Sequence, residues 1–226
     1  MTDHIFDTIP FEFDPEIFIK RLRVRKGKKD ESEFREMAAE VQKITRPKAA
    51  YRLVFIDKKG HDSISMNGIT LTSRVMRVNL EKTHRIFPFI ATSGQEIETW
   101  AASIDGLLKK FWADALKEAA LRIAIKTISQ HVRKTYELTR FSTMTPGSID
   151  DWPLQEQSAL FDLMHPIPDT LQVTLKSSHL MIPMKSVSGI FFPTETHFES
   201  CQLCQRERCP NRRAPYDQDL YQQRFA

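Results

Sequence analysis

The residues most able to do chemistry in this chain are its three cysteines, all in one stretch: Cys201, Cys204 and Cys209, followed by Pro210. The C-x2-C-x4-C-P spacing lets three thiolates converge on one centre, and His197, four residues upstream, offers a fourth ligand for a Cys3His zinc site. A four-iron cluster held by three thiolates, its last iron open or ligated from elsewhere, fits the same spacing. The plain alternative is three reduced thiols on a surface tail. Two further segments draw attention. In TMTPGSIDDW, Thr143 to Trp152, the Pro146-Gly147 pair makes a tight turn where a ligand can approach the backbone closely. In MIPMKSVSG, Met181 to Gly189, Lys185, Ser186 and Ser188 are offered beside a strand with another small residue, Gly189. The plain reading of both is a well-made turn between core elements.

These segments need elements to hold them. Asp30 to Thr45 puts Phe34, Met37, Ala38, Val41 and Ile44 on one helical face, and Pro47 stops the helix. Tyr51–Ile56 reads as a strand leading to a Lys58–Gly60 turn, with Ser63–Met66 returning antiparallel. Thr70–Leu80 fits either period. Arg85–Thr92 reads as a buried strand in which Pro88 points to an edge or a bulge. The longest helix is expected over Ile104 to Val132, with Ile104, Leu108, Phe111, Ala115, Ala119 and Ile123 as its buried stripe, widened by Leu107, Leu116, Ala120 and Ile128. Asp150 and Asp151 sit where carboxylates complement a helix N-terminus, and Pro153 suits a first turn, so a helix is expected from there to Met164. His165–Asp169 then connects to strands at Leu171–Leu175 and Gly189–Phe192. Helices and strands do not alternate regularly, so the expected class is α+β. It is drawn as a twisted antiparallel sheet flanked by helices, with one long central helix and a short cysteine-bearing C-terminal tail.

Composition narrows the function classes. The 226 residues suffice for one good core, and the formal net charge is +4. Charge is concentrated in Lys20–Lys29 (KRLRVRKGKK), which lacks the interleaved aromatic residues of a single-strand binding surface, so a solvated connection is expected and nucleic acid is not. No apolar run has the ~20 residues of a membrane helix. The acidic N-terminus has no basic leader, so a cytoplasmic protein with reduced thiols is expected. Phosphate-binding glycine motifs and the G-x-S-x-G elbow are missing. His84, His131 and His179 are scattered singles, and Glu96 and Glu98 read as solvated carboxylates.

The run from Met144 to Ile190 resembles the activation region of cobalamin-dependent methionine synthase. The similarity is carried by Pro146-Gly147, Trp152-Pro153-Leu154, Leu175, Ser178, Met181, Pro183 and Ser186-Val187-Ser188-Gly189, in that order. Short stand-alone relatives from anaerobes are more similar still. Their PG-then-DWPL-x-x-Q and M-x-P-x-KSVSG patterns read PGSIDDWPLQEQ and MIPMKSVSG here, while FPFIATSGQEIETWA and the long helix agree more weakly.

The resemblance implies a reactivation module. In the family, cobalt that has oxidised from Co(I) to Co(II) is reduced by one electron and methylated from S-adenosylmethionine, with the domain docked over the corrinoid. The cofactors carry the chemistry, so the protein's part is positioning and desolvation. The implied binding residues are Pro146, Gly147, Lys185, Ser186, Ser188 and Gly189. The family's arginine before the turn and tyrosine after it are replaced by Thr143 and Ser148, with Arg140 and Trp152 as candidate substitutes. The chain leaves no room for corrinoid, folate or homocysteine modules, so action in trans on a corrinoid-binding protein or methionine synthase core subunit is expected, with an electron-donor protein or an in-chain iron–sulfur cluster as the electron source. A docking module with structural zinc and an iron–sulfur electron carrier are the alternatives. Residues 1–195 are expected to form the activation-like domain and 196–226 a metal-binding tail.

Overall fold

A computed structural model describes residues 2–195, 198–209 and 212–225. The chain runs through β1 (Thr2–Phe6), α1 (Pro15–Arg21), α2 (Lys29–Ile44) and β2 (Lys48–Phe55), then the small meander β3 (Lys58–Lys59), β4 (Ser63–Met66) and β5 (Ile69–Thr72). There follow α3 (Arg74–Asn79), β6 (Arg85–Thr92), α4 (Gln95–Ala102), α5 (Leu107–Thr135) and β7 (Phe141–Met144). A 3-10 turn at Leu154–Glu156 leads into α6 (Gln157–Met164), α7 (Ile167–Leu171), the ribbon β8 (Thr174–Leu175) and β9 (Met181–Ile182), β10 (Ser186–Pro193) and α8 (Leu220–Arg224). The main sheet is antiparallel in the order β1-β2-β6-β10-β7, so the class is α+β with one long helix, as the sequence implied.

Strand alternation sends the sheet's side chains to two separate cores. Ala49, Tyr51, Phe87, Phe89 and Phe191 pack against Ala124, Ile128 and Val132 of α5. Ala50 and Ile90 meet α6 and α7 on the other face, where Val54, Ile86, Met144, Ile190 and Phe192 join the core under the meander. Each fully buried large apolar side chain contributes roughly 1.5–3 kcal/mol.

Several expectations change. Pro88 is not at an edge, because β6 is the middle strand of five. Its missing N–H falls where the β2–β6 ladder is interrupted, between Tyr51↔Phe89 and Val54↔Ile86. Arg52 lies in that gap. Its buried guanidinium binds Asp3 at 2.6 and 2.8 Å and the carbonyls of Leu163 and His165 at 2.7 and 3.2 Å, tying β1 to the end of α6. Thr70–Leu80 divides into β5 and α3, and Leu171–Leu175 into the end of α7 and the short β8.

The expected stripe of α5 holds along its middle, where Ala115, Leu116, Ala119, Ala120 and Ile128 are buried, and fails at its start. Trp112, Leu116, Ala120, Ala124, Ile128 and Val132 face inward, whereas Leu107, Leu108 and Phe111 are exposed. Alanines on the inner face let α5 lie close to its neighbours. Lys20–Lys29 runs from the last turn of α1 through the connection to the first residue of α2; its basic side chains are exposed, with local pairs such as Arg25–Asp30 at 2.7 Å, while Val24 is buried. The cysteine-bearing C-terminal segment packs on the body: Phe198 and Phe225 are fully buried beside Trp152, and Glu199 bridges to Thr143 of β7.

Candidate functional site

β7 delivers the chain to the Pro146-Gly147 turn. Gly147 has φ +76° and donates its N–H to the Trp152 carbonyl at 2.7 Å, while Ser148 bonds the Thr145 carbonyl through its N–H at 3.2 Å and its hydroxyl at 2.6 Å. A Cβ on Gly147 would stand 3.2 Å from Cδ1 of Leu154, a tight fit, and the left-handed backbone is itself what favours glycine here. Trp152 does not offer an aromatic face to a ligand. It is fully buried and acts as the core plug on which the turn is built. Asp151 does not complement the helix that follows it either. Its carboxylate accepts from the Ser73 hydroxyl and from the Val75 N–H at 3.0 Å, capping α3 instead.

The second motif spans β9, the bend at Pro183–Lys185 and the first half of β10, so its Ser186, Ser188 and Gly189 are strand residues. A Cβ on Gly189 would stand 2.5 Å from the Met144 carbonyl and 2.8 Å from Cγ2 of Thr145, so this glycine lets β10 touch the chain just where the Pro146-Gly147 turn begins. Ser188 donates to Oε1 of Gln157 at 3.0 Å, and Gln157 donates Nε2 to the His179 carbonyl at 2.7 Å. Ser186 Oγ lies 2.8 Å from Thr92 Oγ1 and 2.7 Å from the Pro183 carbonyl. Lys185 turns to α5, 3.0 Å from Asp114 and 3.6 Å from Glu118. Pro146, Gly147, Ser148, Ser186, Ser188 and Gly189 are thus gathered at one end of the sheet. Arg140 is not: it precedes β7, about 13 Å of strand from the turn, and reaches the Glu195 carbonyl at 3.4 Å. Thr143 lies mid-strand, between Phe191 of β10 and Glu199.

No protein-family model and no curated protein matches this sequence. Among solved structures, the chain is similar to the MetH reactivation domain bound to AdoHcy, with a TM-score of 0.61 and 17% identity over 83% of this chain and 69% of that one. The fold is that of the MetH reactivation domain. The two sequence motifs therefore meet in a chain that shares this fold at low sequence identity.

Two clefts flank this arrangement. One, of about 420 Å³, lies between Ile149–Asp151, just past the Pro-Gly turn, and the C-terminal segment, which contributes Leu203, Tyr216, Asp217 and Tyr221. Burial and the neighbouring Asp151 carboxylate push the Tyr221 hydroxyl above the usual tyrosine pKa. The other, of about 590 Å³, opens at the far end of the sheet and contains Arg140.

The cysteine loop is built differently from the metal centre its spacing suggested. Among the described residues, no three His, Cys, Asp or Glu side chains are placed to hold a metal, and Cys201, Cys204 and Cys209 are free thiols. His197 lies outside the described residues. The hub of the loop is Arg212, whose guanidinium donates to the carbonyls of Cys201 and Cys204 at 3.0 Å, of Ala214 at 3.2 Å, and of Arg206. The described residues thus show no iron–sulfur or zinc centre. Sequence reasoning also missed Gln157, although it closes the DWPLQEQ run, and Tyr216 and Tyr221, which carry no local signal beyond being aromatic.

Proposed function

We propose that this chain is a reactivation subunit acting in trans on a corrinoid protein, and that it binds an adenosylmethionine-type ligand against the Pro146–Trp152 loop. One observation carries the reading: in a chain with the reactivation-domain fold, Gly189 of β10 touches the chain at Met144 and Thr145, where the Pro146-Gly147 turn begins, and Gln157 of the helix that follows the turn hydrogen-bonds Ser188. The solved reactivation domain is bound to AdoHcy, which supports this ligand class. The cleft beside the loop fits it. Tyr216 and Tyr221 offer faces for a planar adenine, and Asp150 offers a carboxylate to a sulfonium or an ammonium. These tyrosines, brought in by the C-terminal segment, take the part of the aromatic residue absent at Ser148.

When bound, the sulfonium ligand supplies a methyl group to the partner's corrinoid, reduced beforehand by one electron from a separate donor protein, and the thioether leaves with the C–S bonding pair. The chain's own residues orient the ligand and exclude water, and no acid–base pair is needed. Calorimetry of the whole chain with AdoMet and AdoHcy tests the ligand, and the visible spectrum of a Co(II) corrinoid protein on addition of the chain tests the partner. Saturable binding and a base-on to base-off shift are expected. An unchanged spectrum at saturation, together with no heat from either ligand, overturns the proposal.

A further inference from the structure

The 590 Å³ cleft lies where β6 and β7 begin and β10 ends, opposite the motif end of the sheet. Its cations distinguish it. Arg85, Arg140 and Arg224 all line it, and among the described residues none of them is paired with a carboxylate. Arg85 lies over the rings of Tyr136 and Phe87, at 5.5 and 5.9 Å. Arg140 reaches only a backbone carbonyl, and Arg224 donates to Asn79 Oδ1 at 3.0 Å. Of the three acids on the same cleft, Glu81 is held by Arg77 and Glu195 by Lys82 at 3.0 Å, which leaves Glu137. Three guanidinium groups therefore face one uncommitted carboxylate.

The sheet fixes how two of these arginines are spaced. Phe191 pairs with Phe87 and Pro193 with Phe141, so the ladder carried on two residues sets Arg85 across from Pro193. Arg140, one residue before Phe141, flanks the other side of β10 about 10 Å from Arg85 at the backbone. Strand alternation starts the two side chains on opposite faces, and they come together at the open end of the sheet, where both line the cleft. Two arginine side chains can close that span on one oxyanion, and their planar forks match phosphate oxygens in pairs. Phe55, Val78 and Leu138 form an apolar wall, and the volume lies in the range of small-molecule sites.

We propose that this cleft binds a phosphate-bearing small molecule, with Arg85 and Arg140 gripping the phosphate and the apolar wall taking the rest. The site is separate from the Pro-Gly loop, so its ligand is a second one, bound independently of any adenosylmethionine.

The test is calorimetry on the whole chain in phosphate-free buffer, with pyrophosphate and adenosine monophosphate as probes and citrate as the carboxylate comparator. Saturable binding of a phosphate probe in preference to citrate is expected. Arg140→Ala should weaken it about tenfold or more, and Arg85→Lys, which keeps the charge and the packing but loses the fork, should weaken it with the melting temperature unchanged. AdoHcy binding should be the same in both variants. No phosphate binding at millimolar probe, equal binding of citrate, or affinity unaltered in both variants would each overturn the proposal.

Discussion

Ser188 donates its hydroxyl to Oε1 of Gln157 at 3.0 Å in a buried contact between residues 31 positions apart. A buried carboxamide needs partners for both of its ends, and Gln157, 3% exposed, meets the second need at the His179 carbonyl. Gln157 opens α6 just after the Pro146–Trp152 loop, and Ser188 precedes Gly189 in β10. One side chain thereby ties the start of α6, the strand and the β8–β9 ribbon into a single unit.

Gln157→Ala strands the Ser188 hydroxyl and the His179 carbonyl together. A loss of roughly 1–3 kcal/mol is expected, read as a lower urea midpoint. Ser188→Ala should cost less, and a double-mutant cycle between the two should give a coupling of about 0.5–1.5 kcal/mol. Strict additivity would show that the contact does not join the two segments energetically.

Gly189→Ala drives a methyl group into the Met144 carbonyl, which must move and take the start of the Pro-Gly turn with it. Destabilisation of about 1–3 kcal/mol is expected, together with a marked loss of AdoMet-type binding. Gly27→Ala is the control. Unlike that of Gly189, its position has positive φ, +67°, but nothing lies within 4 Å, so stability should fall modestly from backbone strain alone while ligand affinity stays. Equal effects on affinity from both substitutions would remove Gly189 from the site.

Much of this site was legible in order and little of it in depth. The glycines and serines of the two motifs marked segments that do meet, because a residue without a Cβ, or with only a hydroxymethyl, is what close backbone contact demands. Trp152 and Asp151 misled for one reason: each satisfies a distant partner, the core under the meander and the N-terminus of α3, and sequence proximity to a turn says nothing of such partners. Arg140 was four residues too early, and four residues of extended strand carry a side chain from one end of a sheet to the other. Only the start of the α5 face was misplaced, because Leu107, Leu108 and Phe111 are large and apolar yet exposed, while the small Ala113 beside Trp112 is what packs there.

Acid should weaken the anchor of β1. Hydrogen bonds from Arg52 hold the Asp3 carboxyl below its ordinary pKa, against a smaller opposing effect of burial. A carboxyl depressed in the folded state stabilises it above the unfolded pKa and ceases to as pH falls through the folded value. Urea midpoints of the parent chain and of Asp3→Asn should therefore differ most at neutral pH and converge below about pH 4. The carboxylate is partly exposed, so the gap is modest. A gap that is constant from pH 7 to pH 3 would contradict the linkage.

Arg212 decides what organises the cysteine loop. Its guanidinium collects four carbonyls from both sides of the loop, a task that five N–H donors in a planar fork can perform and a lysine ammonium cannot. Arg212→Lys should therefore behave like Arg212→Ala: Cys201, Cys204 and Cys209 should react faster with a thiol reagent, and AdoMet-type affinity should fall, because Leu203 and Tyr216 of the 420 Å³ cleft hang on the same loop. Chelator should leave the melting temperature of the parent protein unchanged, since a guanidinium hub is indifferent to it. If anaerobically purified protein instead carries one zinc or a four-iron cluster per chain, and chelation both lowers the melting temperature and exposes the thiols, then the thiolates and not Arg212 hold the loop together.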